Sequence, residues 1–365
     1  MAGPHLDGNI DVSLLHVRRD TSIREAIAVI DRSGRVSLAL LVDDQHRLVA
    51  TITDGDIRRA TLAGLSIDAP VEQMLPLKAT LPNPEPVTAP VGIDSASALA
   101  LMQARRVRQL PIVDADRRVV DVMLLADLIK QPPESLRAVI MAGGFGTRLR
   151  PLTENLPKPM LPVGGRPLME RIVGRLRESG IDHIVVTTHY KPEKIVEHFG
   201  DGSNFDVTMT YVQEDVPLGT GGALGLLQNL DEPLLVINGD ILTDVDFGAL
   251  RDYHREYGAD LTVGVRRYTI SVPYGVVENQ GARVMRIDEK PEMTFFVNAG
   301  IYLLEPCVFD YVGRGVRLYM TDLIQTVIEA GLVVVSFPVH EYWMDVGRTD
   351  DYMQAQADGD SGKWG

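Results

Sequence analysis

Apolar positions follow two different rhythms along the chain. Between residues 11 and 130, Ser22–Ile30 (SIREAIAVI) and Asp94–Met102 (DSASALALM) carry apolar residues at helical spacing. Each is followed by an apolar strand run, an aspartate-containing turn, a second strand and a short helix that opens at another aspartate. The order occurs twice. Val42, Asp43, Arg47 and Val49 recur as Val113, Asp114, Arg118 and Val120, Val36 as Val107, and Asp56-Ile57 as Asp127-Leu128, at an offset of 71 (113 minus 42).

From Leu136 onward the rhythm changes to strands alternating with helices. Ala138–Met141 reads as a buried strand, Arg166–Ser179 as a helix, Ile181–Thr188 as a strand, Pro192–Phe199 as a helix and Asp206–Val212 as a strand. Gly221–Leu230 then reads as a helix and Pro233–Asn238 as another strand. Helices inserted between apolar strands require mostly parallel pairing with helical covers on both faces, so the expected fold is a Rossmann-like α/β domain. Ligands of such sheets bind at the carboxyl ends of the strands. The expected divisions are a loose start at 1–10, repeats at 11–66 and 67–130, a linker at 131–135, the α/β domain at 136–357 and a loose tail at 358–365. Proline stiffens both Pro82–Pro86 and the linker segment Gln131-Pro132-Pro133-Glu134.

Charge narrows the possible ligands. Fifty acidic residues against 36 basic ones leave a net charge of −14, which argues against a nucleic-acid partner or an anionic membrane surface. Any phosphate must then be bound in a small pocket where cations outweigh the acidic background. Cys307 is the single cysteine, which excludes an intrachain disulfide and a cysteine-type zinc site and reads as a core thiol. The N-terminal residues have neither a basic nor an apolar leader pattern, and no apolar run approaches the ~20 residues of a membrane helix, so the cytoplasm is the expected compartment.

The candidate chemistry starts where the Ala138–Met141 strand breaks into Gly143, Gly144 and Gly146. Glycines let the backbone turn sharply and present bare N–H groups to an anion. Arg148 follows at once, and Lys158 sits in a Pro-Lys-Pro frame, so two cations flank the loop and a polyphosphate cradle is expected. A P-loop would need G-x-x-x-x-G-K-[ST], and the dinucleotide fingerprint a third glycine; neither is present. Farther on, Leu234–Ile237 runs into Asn238-Gly239-Asp240, which puts a carboxylate at the sheet edge facing the cradle, unless Asp240 merely closes a turn. A carboxylate facing triphosphate calls for an intervening cation, and Mg²⁺ prefers such oxygen ligands. Asp345, in Glu341-Tyr-Trp343-Met-Asp345-Val-Gly347, is the second candidate carboxylate.

These stretches resemble the sugar-1-phosphate nucleotidyltransferases, whose signature G-G-x-G-T-R-L-x-P-L-T…P-K-P is matched from Gly143 through Thr147, Arg148 and Leu149 to Lys158 and Pro159. The resemblance implies Mg²⁺ on Asp240 and Asp345, a nucleotide held by Ala142, Gly143, Gly144, Gly146, Thr147, Glu214, Gly219 and Thr220, and catalytic roles for Arg148, Lys158 and Lys290. It assigns the leaving β,γ-phosphates to Arg148 and Lys158 and the attacking phosphate to Lys290. It places the sugar against Tyr274 and Gly275 of the P-Y-G-V segment, Glu289 of E-K-P and Asn298 of V-N-A-G-I-Y. Close packing at a helix start is a second reading of Gly219 and Gly222, and the two can hold together.

The duplicated region resembles a pair of CBS domains, a module of tandem β-α-β-β-α units that implies an adenine nucleotide ligand. Thr53 and Asp56 match the phosphate and ribose pair, whereas the second unit has Leu124 before Asp127, and both aspartates could equally cap helices. Such pairs also imply a homo-oligomer. The combination is most like the GDP-sugar guanylyltransferases of legionaminic-acid synthesis, which use glucosamine-1-phosphate. GTP is therefore the expected nucleotide, with UTP or dTTP second. The competing reading from another class is a nucleotide-sensing protein whose transferase fold is inert.

Overall fold

The structure, a computed structural model, describes residues 11–129, 136–228 and 230–364. It divides into two compact units, Met1–Glu134 and Ser135–Gly365. The expected loose start and the linker at 131–135 lie outside the described residues.

The first unit holds two three-stranded sheets, β1 (His16–Val17), β2 (Leu38–Val42) and β3 (Leu48–Thr53), then β4 (Ala89–Pro90), β5 (Gln109–Val113) and β6 (Val119–Leu124). Helices α1 (Ile23–Arg32), α2 (Asp54–Leu62), α3 (Leu75–Lys78), α4 (Ser95–Arg105) and α5 (Leu125–Leu128) accompany them. The duplication is visible atom by atom. Asp43 Oδ1 accepts the N–H groups of Gln45 and Arg47 at 2.9 Å, and Asp114 Oδ1 those of Asp116 and Arg118, also at 2.9 Å. The equivalent residues Arg47 and Arg118 then pair with each other as an antiparallel bridge, as they would across a pseudo-twofold axis. Val36, Leu38, Leu40 and Leu48 of one repeat share a core with Val119, Val122 and Leu124 of the other.

The boundary between the repeats moves. Val71 and Met74 are buried against Ile23 and Ala26, and backbone bonds join Ile23 to Ala69 and Val71 to Thr21, so residues 67–78 complete the first repeat instead of opening the second.

In the second unit a seven-stranded sheet runs in the order β11-β10-β7-β12-β17-β14-β18. The labels denote β7 (Arg137–Ala142), the small hairpin β8 (Pro162–Val163) and β9 (Arg166–Pro167), β10 (His183–Thr188), β11 (Thr208–Gln213) and β12 (Leu234–Asn238). They continue with β13 (Ile241–Thr243), β14 (Leu261–Ser271), β15 (Val276–Gln280), β16 (Arg283–Asp288), β17 (Glu292–Leu304), β18 (Val334–Pro338) and β19 (Trp343–Asp345). β11, β10, β7 and β12 are mutually parallel, and β17 runs antiparallel to both its neighbours. Alternate residues of one strand enter different cores: Ala138 and Ile140 join α6 (Leu168–Glu178), α7 (Pro192–Phe199) and α9 (Phe247–Tyr257), while Val139 joins α10 (Met320–Glu329). Covers on both faces are what the near-continuous apolar strands required. Beyond the sheet, β14 and β17 extend as a two-stranded ribbon that ends in the β15–β16 hairpin.

Three expectations are corrected. The helix expected at Gly221–Leu230 shrinks to α8 (Gly219–Gly222) and a 3₁₀ turn at Ala223–Leu226, because its glycines press on another backbone: a Cβ at Gly222 would lie 2.5 Å from the Val316 carbonyl and one at Gly225 2.5 Å from that of Gly313. The tail is not loose. After α11 (Thr349–Asp360), Trp364 folds back, buries its indole under the Arg171 guanidinium at 4.0 Å and donates from Nε1 to the Ala355 carbonyl. Cys307 is exposed, on the outer side of a 3₁₀ turn whose Val308 faces the core.

Candidate active site

The carboxyl ends of β7, β10 and β12 open on a cleft of about 220 Å³. Ala142, Gly143, Gly144, Lys158, Glu214, Gly219, Thr220 and Asp240 line it, so most of the residues expected for the nucleotide and its phosphates converge. Two loop glycines are required by space. A Cβ at Gly143 would sit 2.4 Å from Glu214 Oε1, and Gly146, at φ +62°, would meet Thr153 Cγ2 at 2.9 Å. Thr153 ties the loop down by donating to the Gly146 carbonyl at 2.8 Å, and Thr147 opens the 3₁₀ turn Thr147–Leu149 that carries Arg148. Gly144 has open space where a Cβ would stand, and its backbone faces the cleft unscreened.

Asp240 and Asp345 are set side by side by main-chain pairing. β13 and β19 are antiparallel with Ile241 opposite Asp345, and the Val346 N–H donates to the Asp240 carbonyl at 3.1 Å. Gly239 fastens this edge to the phosphate loop by donating to the Met141 carbonyl at 2.9 Å. Lys158, nearly fully buried, lies between the two carboxylates, bonded to Asp240 Oδ2 and 3.6 Å from Asp345 Oδ1. It serves as the counter-ion of the acidic pair, beside the glycine loop on which the phosphates are expected. Burial pushes the Asp345 carboxyl above its ordinary range, the neighbouring Asp240 charge pushes it further, and Lys158 and the exposed Arg148 pull it back. Two carboxylates converging on one cation beside a phosphate loop fit a divalent ion. Among the described residues no group of three or more His, Cys, Asp or Glu side chains forms a closed metal cage, so such an ion would take its other ligands from phosphate and water, as Mg²⁺ does.

Glu214 occupies the opposite wall. It is buried, its Oε2 accepts the Leu218 N–H at 2.8 Å, and its carbonyl holds His189 Nδ1 at 2.8 Å. Burial raises its carboxyl above the usual value, against the Leu218 bond. Gly219, at φ +79°, packs on the Leu318 carbonyl, and Thr220 Oγ1 accepts the Met320 N–H, so close packing and a place in the cleft hold together here.

The expected sugar contacts divide into two groups. Tyr274 and Gly275 precede the β15–β16 hairpin, and Glu289 and Lys290 follow it; a Cβ at Gly275 would lie 3.2 Å from Glu289 Oε2, and Lys290 Nζ is 3.9 Å from Glu289 Oε1. Gly275, Glu289 and Lys290 adjoin one another at the outer end of the ribbon, where Tyr274 is exposed, and none of the four is part of the cleft lining. Asn298 sits at the ribbon's root, where its Oδ1 accepts the Gly300 N–H at 2.9 Å beside Tyr302, whose hydroxyl is pushed up to about 12 by burial.

The cleft also contains Phe145, Thr187, Asn238 and Tyr319, to which the motif reading assigned no role. Thr187 and Asn238 occupy the ends of parallel strands, a position that marks ligand contacts in this architecture.

In the first unit Asp56 is 3% exposed and fully engaged: Oδ2 accepts from Thr53 and from Lys78 Nζ at 2.6 Å, and Oδ1 from Arg59 at 2.7 Å. Thr53 and Asp56 thus form a reciprocal cap on α2. Asp127 pairs with Arg35 of the other repeat, and Leu124, at the N-cap of α5, gives it no side-chain cap.

The nucleotidyl transferase profile matches residues 137–361, and CBS domain profiles match 10–63 and 78–134. The chain belongs to the nucleotidyl transferase family. Among curated proteins, mannose-1-phosphate guanylyltransferase of Mycobacterium tuberculosis is 36% identical over 230 residues, 60% of this chain and 64% of that protein. UTP–glucose-1-phosphate uridylyltransferase of Synechocystis is 34% identical over 245 residues, covering 60% and 62%. The match therefore spans under two thirds of the length of these relatives. A solved structure described as a glucose-1-phosphate thymidylyltransferase from Bacillus anthracis aligns with a TM-score of 0.52 at 27% identity, over 63% of this chain and 98% of that one. This nucleotidyl transferase unit thus carries a CBS pair before it, and no helix among the described residues is long and apolar enough to cross a membrane.

Proposed function

We propose that the protein transfers a nucleotidyl group from GTP to a hexose-1-phosphate, giving a GDP-sugar and pyrophosphate. One observation carries this reading: a lysine held between two aspartates at the carboxyl end of the sheet, directly beside an open glycine loop. With a divalent ion on the two carboxylates, that constellation suits the charge of a triphosphate.

Guanine is favoured by Glu214. A carboxylate offers acceptors and no donor. Guanine presents two adjacent donors, N1–H and the 2-amino group, whereas uracil and thymine present one N–H between two carbonyls, and adenine and cytosine set an amino group beside a ring acceptor. A base with a carbonyl facing this carboxylate leaves a buried acceptor unpaired. The guanylyltransferase relative of M. tuberculosis points the same way, and the Synechocystis relative keeps UTP, with dTTP, as the second choice.

In the reaction an oxygen of the sugar phosphate attacks the α-phosphorus in line; the new O–P bond forms as the bond to the β-phosphate oxygen breaks, and pyrophosphate leaves. The attacking group is already an anion, so no general base is needed and catalysis is positioning plus charge neutralisation. Asp240 and Asp345 would hold Mg²⁺, which supplies neutralisation of the α-phosphate charge when bound. Arg148, and Lys158 once drawn off the carboxylates, take the β,γ-phosphates. Lys290 takes the attacking phosphate, with Glu289, Tyr274, Gly275 and Asn298 around the sugar. Lys290 adopts φ +46°, a strained conformation for a side-chain-bearing residue of the kind that accumulates at functional sites.

Glucosamine-1-phosphate, of legionaminic-acid synthesis, and mannose-1-phosphate, named in the relatives, are the leading acceptors. An adenine nucleotide at the CBS pair is also proposed, supported by the domain type and by Lys78 and Arg59 beside Asp56. Pyrophosphate release from GTP with a panel of hexose-1-phosphates tests the activity. Release with a hexose-1-phosphate supports it, and silence across the panel removes it.

A further inference from the structure

Two aromatic rings stand at the cleft, each with part of its surface left in water. Phe145, inside the glycine loop, is 44% exposed, and Tyr319, from the turn before α10, is 45% exposed; both line the cleft. Each is pinned from behind. Phe145 sits edge-on to His189 at 5.4 Å and against Tyr190 at 5.6 Å. His189 is in turn fixed to the Glu214 carbonyl, and the Tyr190 hydroxyl donates to the Thr153 carbonyl at 3.2 Å. The Tyr319 hydroxyl accepts from Arg317, whose guanidinium also lies over the ring at 5.3 Å, and the next residue's N–H is held by Thr220.

The part of each ring left in water gains the fold nothing by burial. A flat, desolvated partner covers it. Of the parts of the proposed substrates, phosphate and ribose are strongly hydrated and a hexose is studded with hydroxyls, which leaves the base. A purine has the larger π-face, and aromatic stacking onto bases is a general way of holding them. Resting on the nucleotidyl-transfer reading of this cleft, we propose that Phe145 and Tyr319 hold the faces of the purine ring while Glu214 meets its edge. The glycine loop then binds phosphate through its backbone and the base through its one aromatic side chain.

The test is equilibrium titration of the full chain, in Mg²⁺ buffer, with GTP and with inorganic tripolyphosphate, which has no base. Phe145→Ala and Tyr319→Ala are each expected to weaken GTP about tenfold while leaving tripolyphosphate within about twofold. Phe145→Tyr and Tyr319→Phe, which keep a ring, should stay within about threefold for GTP. GTP affinity unchanged in both alanine variants overturns the proposal, as does an equal loss for tripolyphosphate, which would make the residues props of the phosphate loop. Wild type that prefers UTP to GTP refutes the guanylyl reading instead, and the same variants titrated with UTP still decide whether the rings hold a base.

Discussion

Glu214 Oε1 lies 2.4 Å from the point where a Cβ on Gly143 would stand, so the phosphate loop and the proposed base reader fit only because residue 143 has no side chain. Gly143→Ala should push the Glu214 carboxylate off its seat while its Leu218 bond resists, an overpacking that weakens GTP binding about tenfold or more. Isothermal titration with GTP checks this, and unchanged affinity would show that Glu214 is not held against the loop.

Lys158 and a divalent ion compete for the same two carboxylates. Lys158→Ala should therefore tighten Mn²⁺ binding by at least about threefold, since a positive neighbour is removed, and yet lower turnover about 100-fold, since a phosphate ligand is lost. Manganese titration by electron paramagnetic resonance reads the first effect independently of activity. Weaker manganese binding in the variant would contradict the counter-ion role.

Much of this site was legible in the sequence because its parts are local. Gly143, Gly146, Asp240 and Asp345 announce themselves by strand-end position and motif, and the structure gathers them through β7, β12 and the β13–β19 pair. The missing parts depend on tertiary neighbours. The pairing of Lys158 with the acids could not be read locally, because only β19 brings Asp345 within 3.6 Å of it. Tyr319 reaches the cleft beside Leu318, whose carbonyl accepts the Gly221 and Gly222 N–H groups of α8, a neighbour distant in the chain. In the duplicated region the repeat was readable from side-chain spacing, but the fate of its aspartates was not: Asp56 is claimed by Lys78 and Asp127 by Arg35, both distant in the chain.

Asp56 should act chiefly as a structural anion. Burial disfavours its charge, but Lys78 and Arg59 overcome this and hold its carboxyl below the ordinary value. Because the folded value is the lower one, the stabilisation is complete above about pH 4 and is lost as pH falls through the folded value. Asp56→Asn, which removes the buried charge that Lys78 and Arg59 bind, should cost about 3 kcal/mol in urea unfolding at pH 7, and the difference from wild type should narrow in acid. A variant as stable as wild type at pH 7 would contradict the assignment.

Lys290 stands apart from the nucleotide cleft at the outer end of the ribbon. Lys290→Ala is expected to raise the KM for the sugar phosphate about tenfold and leave that for GTP within about twofold, the signature of a lost charge-assisted bond to one substrate. Steady-state kinetics with each substrate varied in turn checks it; equal changes in both KM values would place Lys290 on the triphosphate.

The most direct test of guanylyl transfer puts GTP, UTP, dTTP, CTP and ATP at equal concentration in one vessel with the protein, Mg²⁺ and the hexose-1-phosphate that releases most pyrophosphate. Mass spectrometry then reads the nucleotide sugars formed. The account predicts a GDP-sugar as the dominant product, and a dominant UDP- or dTDP-sugar, or no nucleotide sugar at all, would contradict it.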